Sequence, residues 1–305
     1  MELTPSVDEF VRGYEAGENQ VVYARLAADL DTPVSLMLKL TAAARDAFVL
    51  ESVTGGEVRG RYSIIGMKPD LIWQCHGATA RLSARAAYAQ AADRVMDAAR
   101  DLDRALPQTS RTLGDAEEDA PPTSNFTHAA YKAAVEKAKE YIKAGDIFQV
   151  VPSQRWTQSF RQPPFALYRS LRRTNPSPFM FYFNFGGFQV IGASPEILVR
   201  VFDREGTIRP IAGTRPRGAT PDEDRANEAD LMDDAKELAE HLMLLDLGRN
   251  DVGRVAKIGS VHPTEEFIVE RYSHVMHIVS NVVGELAEDQ DALSALLAGL
   301  PAGTV

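Results

Sequence analysis

The sequence of 305 residues is short of several things, and each shortage removes a class of protein. It holds one cysteine, Cys75, which excludes an intramolecular disulfide and a cysteine-based metal cluster within the chain. That usage fits a reducing compartment, so a cytoplasmic protein is expected. No stretch approaches ~18 uninterrupted apolar residues, and no membrane-spanning helix is expected. The start, Met1 to Phe10, has neither the basic nor the apolar region of a secretory signal. Positive charge is also scarce: 33 Lys and Arg face 43 Asp and Glu, for a net charge of −10. A nucleic-acid partner needs a basic face and is not expected. The chain contains no P-loop, no dinucleotide fingerprint after a strand, no nucleophile elbow and no HExxH. Phosphoryl transfer and hydride transfer therefore have no motif to rest on.

What is present is an ordinary globular composition, 45% hydrophobic, long enough for two domains or one large one. Residues 1–106 mix short elements: strands over 21–26, 61–66 and 71–75, an apolar run at 48–50, and helices over 34–44 and 84–106. Residues 107–124 have no hydrophobic period and many Pro, Ser, Thr, Asp and Glu, which reads as a flexible linker. A second domain, 125–305, opens with a helix from His128 to Ala144, with Gly145 placed as a left-handed cap. A strand is expected over 146–156. Phe179, Phe181, Phe183 and Phe185 alternate, so one face of an antiparallel meander from 179 to 211 is aromatic. A helix over 230–247 carries an apolar stripe of Leu231, Ala235, Leu238, Leu242 and Leu245. Strands clustered ahead of long helices indicate an α+β fold.

Several segments have side chains suited to chemistry, and each has a plainer reading. Between Pro221 and Glu240 stand nine acids against Arg225 and Lys236, which is −7 of the net −10. This is either a solvated helix face or a cation site. Glu237 and Glu240 lie three apart and share a helix face, and paired carboxylates suit Mg²⁺, a hard cation that prefers oxygen. His241 points about 100° away around the helix and is a poor co-ligand. Gly213-Thr214 ends a strand before Arg215-Pro216-Arg217, which is either a basic turn or a place where a ligand approaches the backbone. His274 and His277 precede an apolar run. They are either core histidines or acid–base groups.

In order along the chain, GDIFQVVPSQR, NPSPFMFY, GASPEILV, PIAGTRPRG, KELAEHLMLLDLGRND and RYSHVMHIVS resemble the chorismate-utilising enzymes. The resemblance implies antiparallel sheets forming a layered β-sandwich core with helices outside. It implies a Mg²⁺-dependent lyase, with Glu237 and Glu240 on the metal, Gly213, Thr214, Gly303 and Thr304 on the substrate, and His277 in the chemistry. Within the family the chain is similar to members that make anthranilate and pyruvate from chorismate and glutamine-derived ammonia, for tryptophan biosynthesis. Those members work with a glutamine amidotransferase subunit. Relatives that make aminodeoxychorismate commonly place a nucleophilic lysine before this Gly-Thr; here the residue is Ala212. Glu51, Ser52, Arg61, Pro176, Pro178 and Met180 resemble a tryptophan feedback site.

The family pattern continues past Val305 with further strands and another metal-binding glutamate. The match is therefore expected to be the N-terminal portion of a longer enzyme, C-terminally incomplete. By itself this portion would be weakly active or inactive, or would serve as a tryptophan- or subunit-binding module.

Overall fold

Antiparallel pairing joins strands that lie far apart in this sequence, and those pairings decide which segments belong together. The computed structural model describes residues 3–26, 31–41, 45–52, 62–69, 71–76, 79–84, 89–106 and 121–300. The chain divides into two compact units, one of Met1–Thr112 and Gln162–Ser194, the other of Leu113–Arg161 and Pro195–Val305. Residues 162–194 thus join the first unit, whereas the sequence places them in the second domain. The reason is the long-range pairing of Phe179–Asn184 with Ala47–Glu51. Every strand pair among the described residues is antiparallel, in keeping with the α+β class.

The first unit contains β1 (Leu3–Thr4), α1 (Val7–Glu15), β2 (Tyr23–Ala24), α2 (Pro33–Thr41), β3 (Ala47–Glu51), β4 (Ser63–Gly66), β5 (Leu71–His76), β6 (Thr79–Ala84) and α3 (Ala89–Leu102). It also contains α5 (Pro164–Thr174), β9 (Phe179–Asn184) and β10 (Gln189–Ser194). Its main sheet has the order β10-β9-β3-β4. Val49 sits between Ile65 and Tyr182 in register, so these side chains share a face. Met37 of α2 and Tyr168 of α5 cover that face, to which Met180 and Tyr182 of β9 both belong. The aromatic alternation falls on the opposite face. There Phe48 lies over Gly66 and Phe181 over Gly192, so closely that a Cβ on either glycine would stand 2.2 Å from a ring atom.

The second unit contains β7 (Thr123–Ser124), α4 (His128–Ala144), β8 (Trp156–Thr157), β11 (Arg200–Phe202), β12 (Glu205–Ile208), β13 (Ile211–Pro216), α6 (Pro221–Asp233), α7 (Ala235–Gly253), β14 (His262–Arg271), β15 (Val275–Glu285) and α8 (Ala292–Ala298). Its sheet runs β11-β12-β15-β13, with β14 on the other side of β15. The expected meander from 179 to 211 is therefore two sheets. β9 takes β3 as its partner, and β11 and β12 extend toward β15. In α4, Thr127 accepts a bond from the Ala130 N–H, and Gly145 ends the helix at φ 81°.

Three other sequence expectations change. The strand over 146–156 reduces to Trp156–Thr157. Pro152 lacks an N–H, and the Pro152 carbonyl accepts from the Tyr131 hydroxyl instead of from a strand. Of the expected linker, residues 107–120 lie outside the described residues, while Thr123–Ser124 pairs with Trp156–Thr157. The helix over 230–247 is two helices that meet at Asp234. This residue closes α6, and its side chain accepts the Lys236 and Glu237 N–H groups that open α7. The break resets the helical phase, so Leu242 is exposed while His241, Leu244 and Leu245 face inward.

The acidic run is largely consumed by arginines. Arg215 binds Asp230 and Asp234, Arg217 binds Asp224, and Arg271 binds Glu228. Bonds from Arg217 and the Gly218 N–H pull the Asp224 carboxyl down to about 2. On the inner side of α7, His241 is fully buried, with Nε2 2.7 Å from the Ser280 hydroxyl and Nδ1 without a partner. Burial lowers its pKa from 6.5 to about 4. The unfolded chain binds this proton more readily, so stability is lost as pH falls from about 6.5 toward about 4. Denaturant titrations across that window should show a loss of roughly 3 kcal/mol that His241→Phe does not share.

Candidate active site

A cavity of about 350 Å³ opens in the second unit where α7 meets β13. It is lined by Gly213, Thr214, Glu237, Glu240 and His277, the described residues that the resemblance named for metal, substrate and chemistry. Gln149, Val151, Pro195, Glu196, Ile211, Ala212 and Leu244 complete the wall. Gly303 and Thr304 lie outside the described residues.

Gly213 makes the meeting possible. The β13–β15 register shifts between Ala212 and Thr214, which leaves Gly213 as the bulged residue. Its φ of 72° is a left-handed value that favours glycine. A Cβ there would stand 3.2 Å from Leu231 and Ile278 and 3.4 Å from the Glu237 Cβ. The bulge also turns the Gly213 carbonyl toward His277, whose Nδ1 lies 2.9 Å away. A carbonyl only accepts, so the neutral imidazole carries its proton on Nδ1 and keeps a lone pair on Nε2. The Thr214 hydroxyl sits 3.1 Å from the same Nδ1.

Glu237 and Glu240 enter from the first turns of α7. Lys236 Nζ lies 3.0 Å from Glu237 and 3.5 Å from Glu240, so a single cation already bridges the two carboxylates. The lysine side chain is 75% exposed and is held only by a weak surface contact. The donor set fits Mg²⁺, which takes one or two protein carboxylates and completes its shell with water or substrate oxygens. Among the described residues no group of three or more His, Cys, Asp or Glu gathers as a closed metal cage. Gln149 Nε2 donates to Glu240 at 3.1 Å and fixes that side chain.

Two polar lining residues, Glu196 and Gln149, were not singled out from the sequence. Glu196 stays exposed as a residue, yet the surrounding protein raises its carboxyl above the ordinary range. Gln149 belongs to the segment read as a plain strand. Its signal was a polar side chain inside an apolar run, Ile147-Phe148-Gln149-Val150-Val151.

The residues resembling an effector site all fall in the first unit, except that Arg61 lies outside the described residues. Glu51 and Met180 are direct cross-strand partners. Ser52 follows Glu51, and Pro176 and Pro178 lead into β9. The Glu51 carboxylate is already engaged: Arg172 binds it through Nε at 2.7 Å and Nη2 at 2.8 Å, and the Tyr168 hydroxyl donates at 2.9 Å. Burial and that carboxylate push the Tyr168 hydroxyl far above its ordinary pKa.

One cavity at the sheet edge thus holds an acid pair, a bulged Gly-Thr and a histidine. The chain belongs to the family of chorismate binding enzymes, whose pattern matches residues 62–305. It is 58% identical to anthranilate synthase component 1 of Cereibacter sphaeroides over 402 aligned residues, 98% of this chain and 80% of the relative. That alignment is longer than the chain, so the relative carries residues within it that have no counterpart here. Identity to anthranilate synthase component 1 of Pseudomonas putida is 62% over 182 residues, 60% of this chain and 37% of the relative. The chain therefore spans less than half of the Pseudomonas protein in that match. The crystal structure of anthranilate synthase component I from Streptococcus pneumoniae superposes with a TM-score of 0.66 at 29% identity, covering 94% of this chain and 70% of that one.

Two substitutions test the geometry. Gly213→Ala should cost roughly 2–3 kcal/mol of unfolding free energy, from a left-handed Cβ and crowding against Leu231 and Ile278. Glu51→Gln should cost about as much, roughly 2–3 kcal/mol, because Arg172 keeps its charge without its partner. Urea denaturation followed by circular dichroism reads both.

Proposed function

We propose that this chain carries the chorismate-converting site of an anthranilate synthase large subunit, a cytoplasmic lyase of tryptophan biosynthesis. It would form anthranilate and pyruvate from chorismate and ammonia, with the ammonia released from glutamine by an amidotransferase partner. The observation that carries this reading is the convergence of Glu237, Glu240, Gly213, Thr214 and His277 on one cavity.

The reaction needs a proton for the departing C4 hydroxyl and a base for the C2 proton. Glu196 suits the first task, because it lines the cavity and desolvation raises its carboxyl pKa. His277 suits the second, through the Nε2 lone pair left when Nδ1–H faces the Gly213 carbonyl. Gly213 and Thr214 offer backbone and hydroxyl contacts to the substrate. Glu237 and Glu240 would hold Mg²⁺, which when bound neutralises a substrate carboxylate and polarises the leaving enolpyruvyl group. Ala212 provides no nucleophile beside the Gly-Thr turn, which favours direct attack by ammonia and an ortho product over the para product of aminodeoxychorismate synthesis.

Glu51, Ser52, Arg61, Pro176, Pro178 and Met180 would border a tryptophan pocket, with Glu51 acting through the wall it builds with Arg172 and Tyr168.

The test is anthranilate fluorescence from the full-length protein given chorismate, ammonium and Mg²⁺. His277→Asn should lower kcat by about 10²–10⁴-fold. Release of the para amino acid, or no product from the unaltered protein, would overturn the reading.

A further inference from the structure

The second unit holds a partly buried ion pair beside His277 that the reaction above does not use. Arg209, between β12 and β13, is 7% exposed. Its guanidinium grips Glu270 with two bonds, Nη1 to Oε2 at 2.9 Å and Nη2 to Oε1 at 2.5 Å. Glu265 stands farther off, at 3.7 Å from Nη2. Glu270 is the direct cross-strand partner of His277 in the β14–β15 register, so the two side chains share a face. Tyr272 closes the chain of contacts. Its hydroxyl donates to Glu270 Oε2 at 2.7 Å, and its ring centroid lies 5.6 Å from that of His277 at an interplanar angle of 58°.

A partly buried ion pair is a modest source of stability, since the cost of drawing the charges out of water offsets much of the attraction. What it supplies is a fixed point. The Glu270 carboxylate cannot turn freely while Arg209 holds both of its oxygens, so the Tyr272 hydroxyl meets a fixed acceptor. The phenol ring is thereby held against one flank of the imidazole. On the other side Thr214 is the cross-strand partner of His277.

That restraint matters because the imidazole works in only one of its two ring orientations. A half-turn about its Cβ–Cγ bond would replace Nδ1 with a C–H and abandon the Gly213 carbonyl. The ring would then lose the bond that keeps Nε2 free of a proton. We propose that Tyr272 is a positioning residue for His277, anchored by Glu270 and Arg209, and that it holds the imidazole in the orientation with Nδ1–H on Gly213. The inference rests on the reading of His277 as the base and adds what keeps that base in one state.

The experiment uses the protein labelled with ¹⁵N-histidine, at a pH where imidazole is neutral. Long-range proton–nitrogen spectra report which ring nitrogen carries the proton, and the His277 signals are assigned by their loss in His277→Asn. The unaltered protein should show one tautomer, with the proton on Nδ1. Tyr272→Phe keeps the ring and removes only the hydroxyl. It should move the two nitrogen shifts toward one another as both tautomers populate, with little change in melting temperature. Glu270→Gln should do the same with a larger loss of stability. If that variant does not fold, Tyr272→Phe decides alone. An unchanged single-tautomer pattern in Tyr272→Phe would overturn the proposal while leaving the base reading intact. A proton on Nε2 in the unaltered protein would sink the base reading and the proposal with it.

Discussion

The close approach of α7 to β13 at Gly213 is the contact on which the site depends. A glycine without a side chain, in a left-handed conformation and bulged out of the strand register, lets the Glu237 Cβ come to within van der Waals reach of the strand. The same bulge aims a carbonyl at His277. One backbone irregularity therefore sets the distance between the acid pair and the sheet, and also the protonation pattern of the histidine. The helix repeats the close approach further along, where Gly248 packs on Pro210 and Ile208. Between these points His241 bonds Ser280, so the inner face of α7 touches the sheet at successive turns.

The charge distribution follows from the same docking. An acid-rich stretch beside the proposed chorismate site would repel an anionic substrate if the acids were free. Half of those on α6, Asp224, Glu228 and Asp230, are bound to Arg215, Arg217 and Arg271, which stand on the sheet and at its ends. The carboxylates that line the cavity are Glu196, Glu237 and Glu240. The net charge of −10 thus says little about what the cavity sees.

Local features of the fold were legible because their causes are local. The α4 helix and its Gly145 cap follow from spacing and from one residue's freedom at positive φ. The alternation of Phe179 to Phe185 marks β9, and the i, i+3 spacing of Glu237 and Glu240 places both on the cavity. What the sequence hid was non-local. Nothing near Phe179 announces that its strand will pair with Ala47–Glu51, more than a hundred positions earlier, and this pairing splits the meander. Asp234 looks like one more acid on a helix surface until Arg215 and two N–H groups converge on it. Residues 146–155 have strand-forming side chains, but propensity makes no strand where the backbone finds no ladder to join. Gln149 and Glu196 reach the cavity from segments that lack the helical or alternating periods by which other residues were placed.

The shared cap at Asp234 also bears on how errors in strand register are rejected. A strand slipped by one residue exchanges its two faces, and hydrophobic burial is the usual safeguard against that. Here the neighbouring Ala212 and Gly213 are both buried and neither carries a large side chain, so burial discriminates weakly between the two faces. Arg215 supplies a second criterion. In the correct register it reaches Asp230 and Asp234 together. In a slipped one it would face away, leaving the carboxylate that opens α7 without its cation. Strand alignment is thus proofread by charge as well as by burial, and the helix bearing the two glutamates is fully anchored only when the strand beneath it is correctly placed.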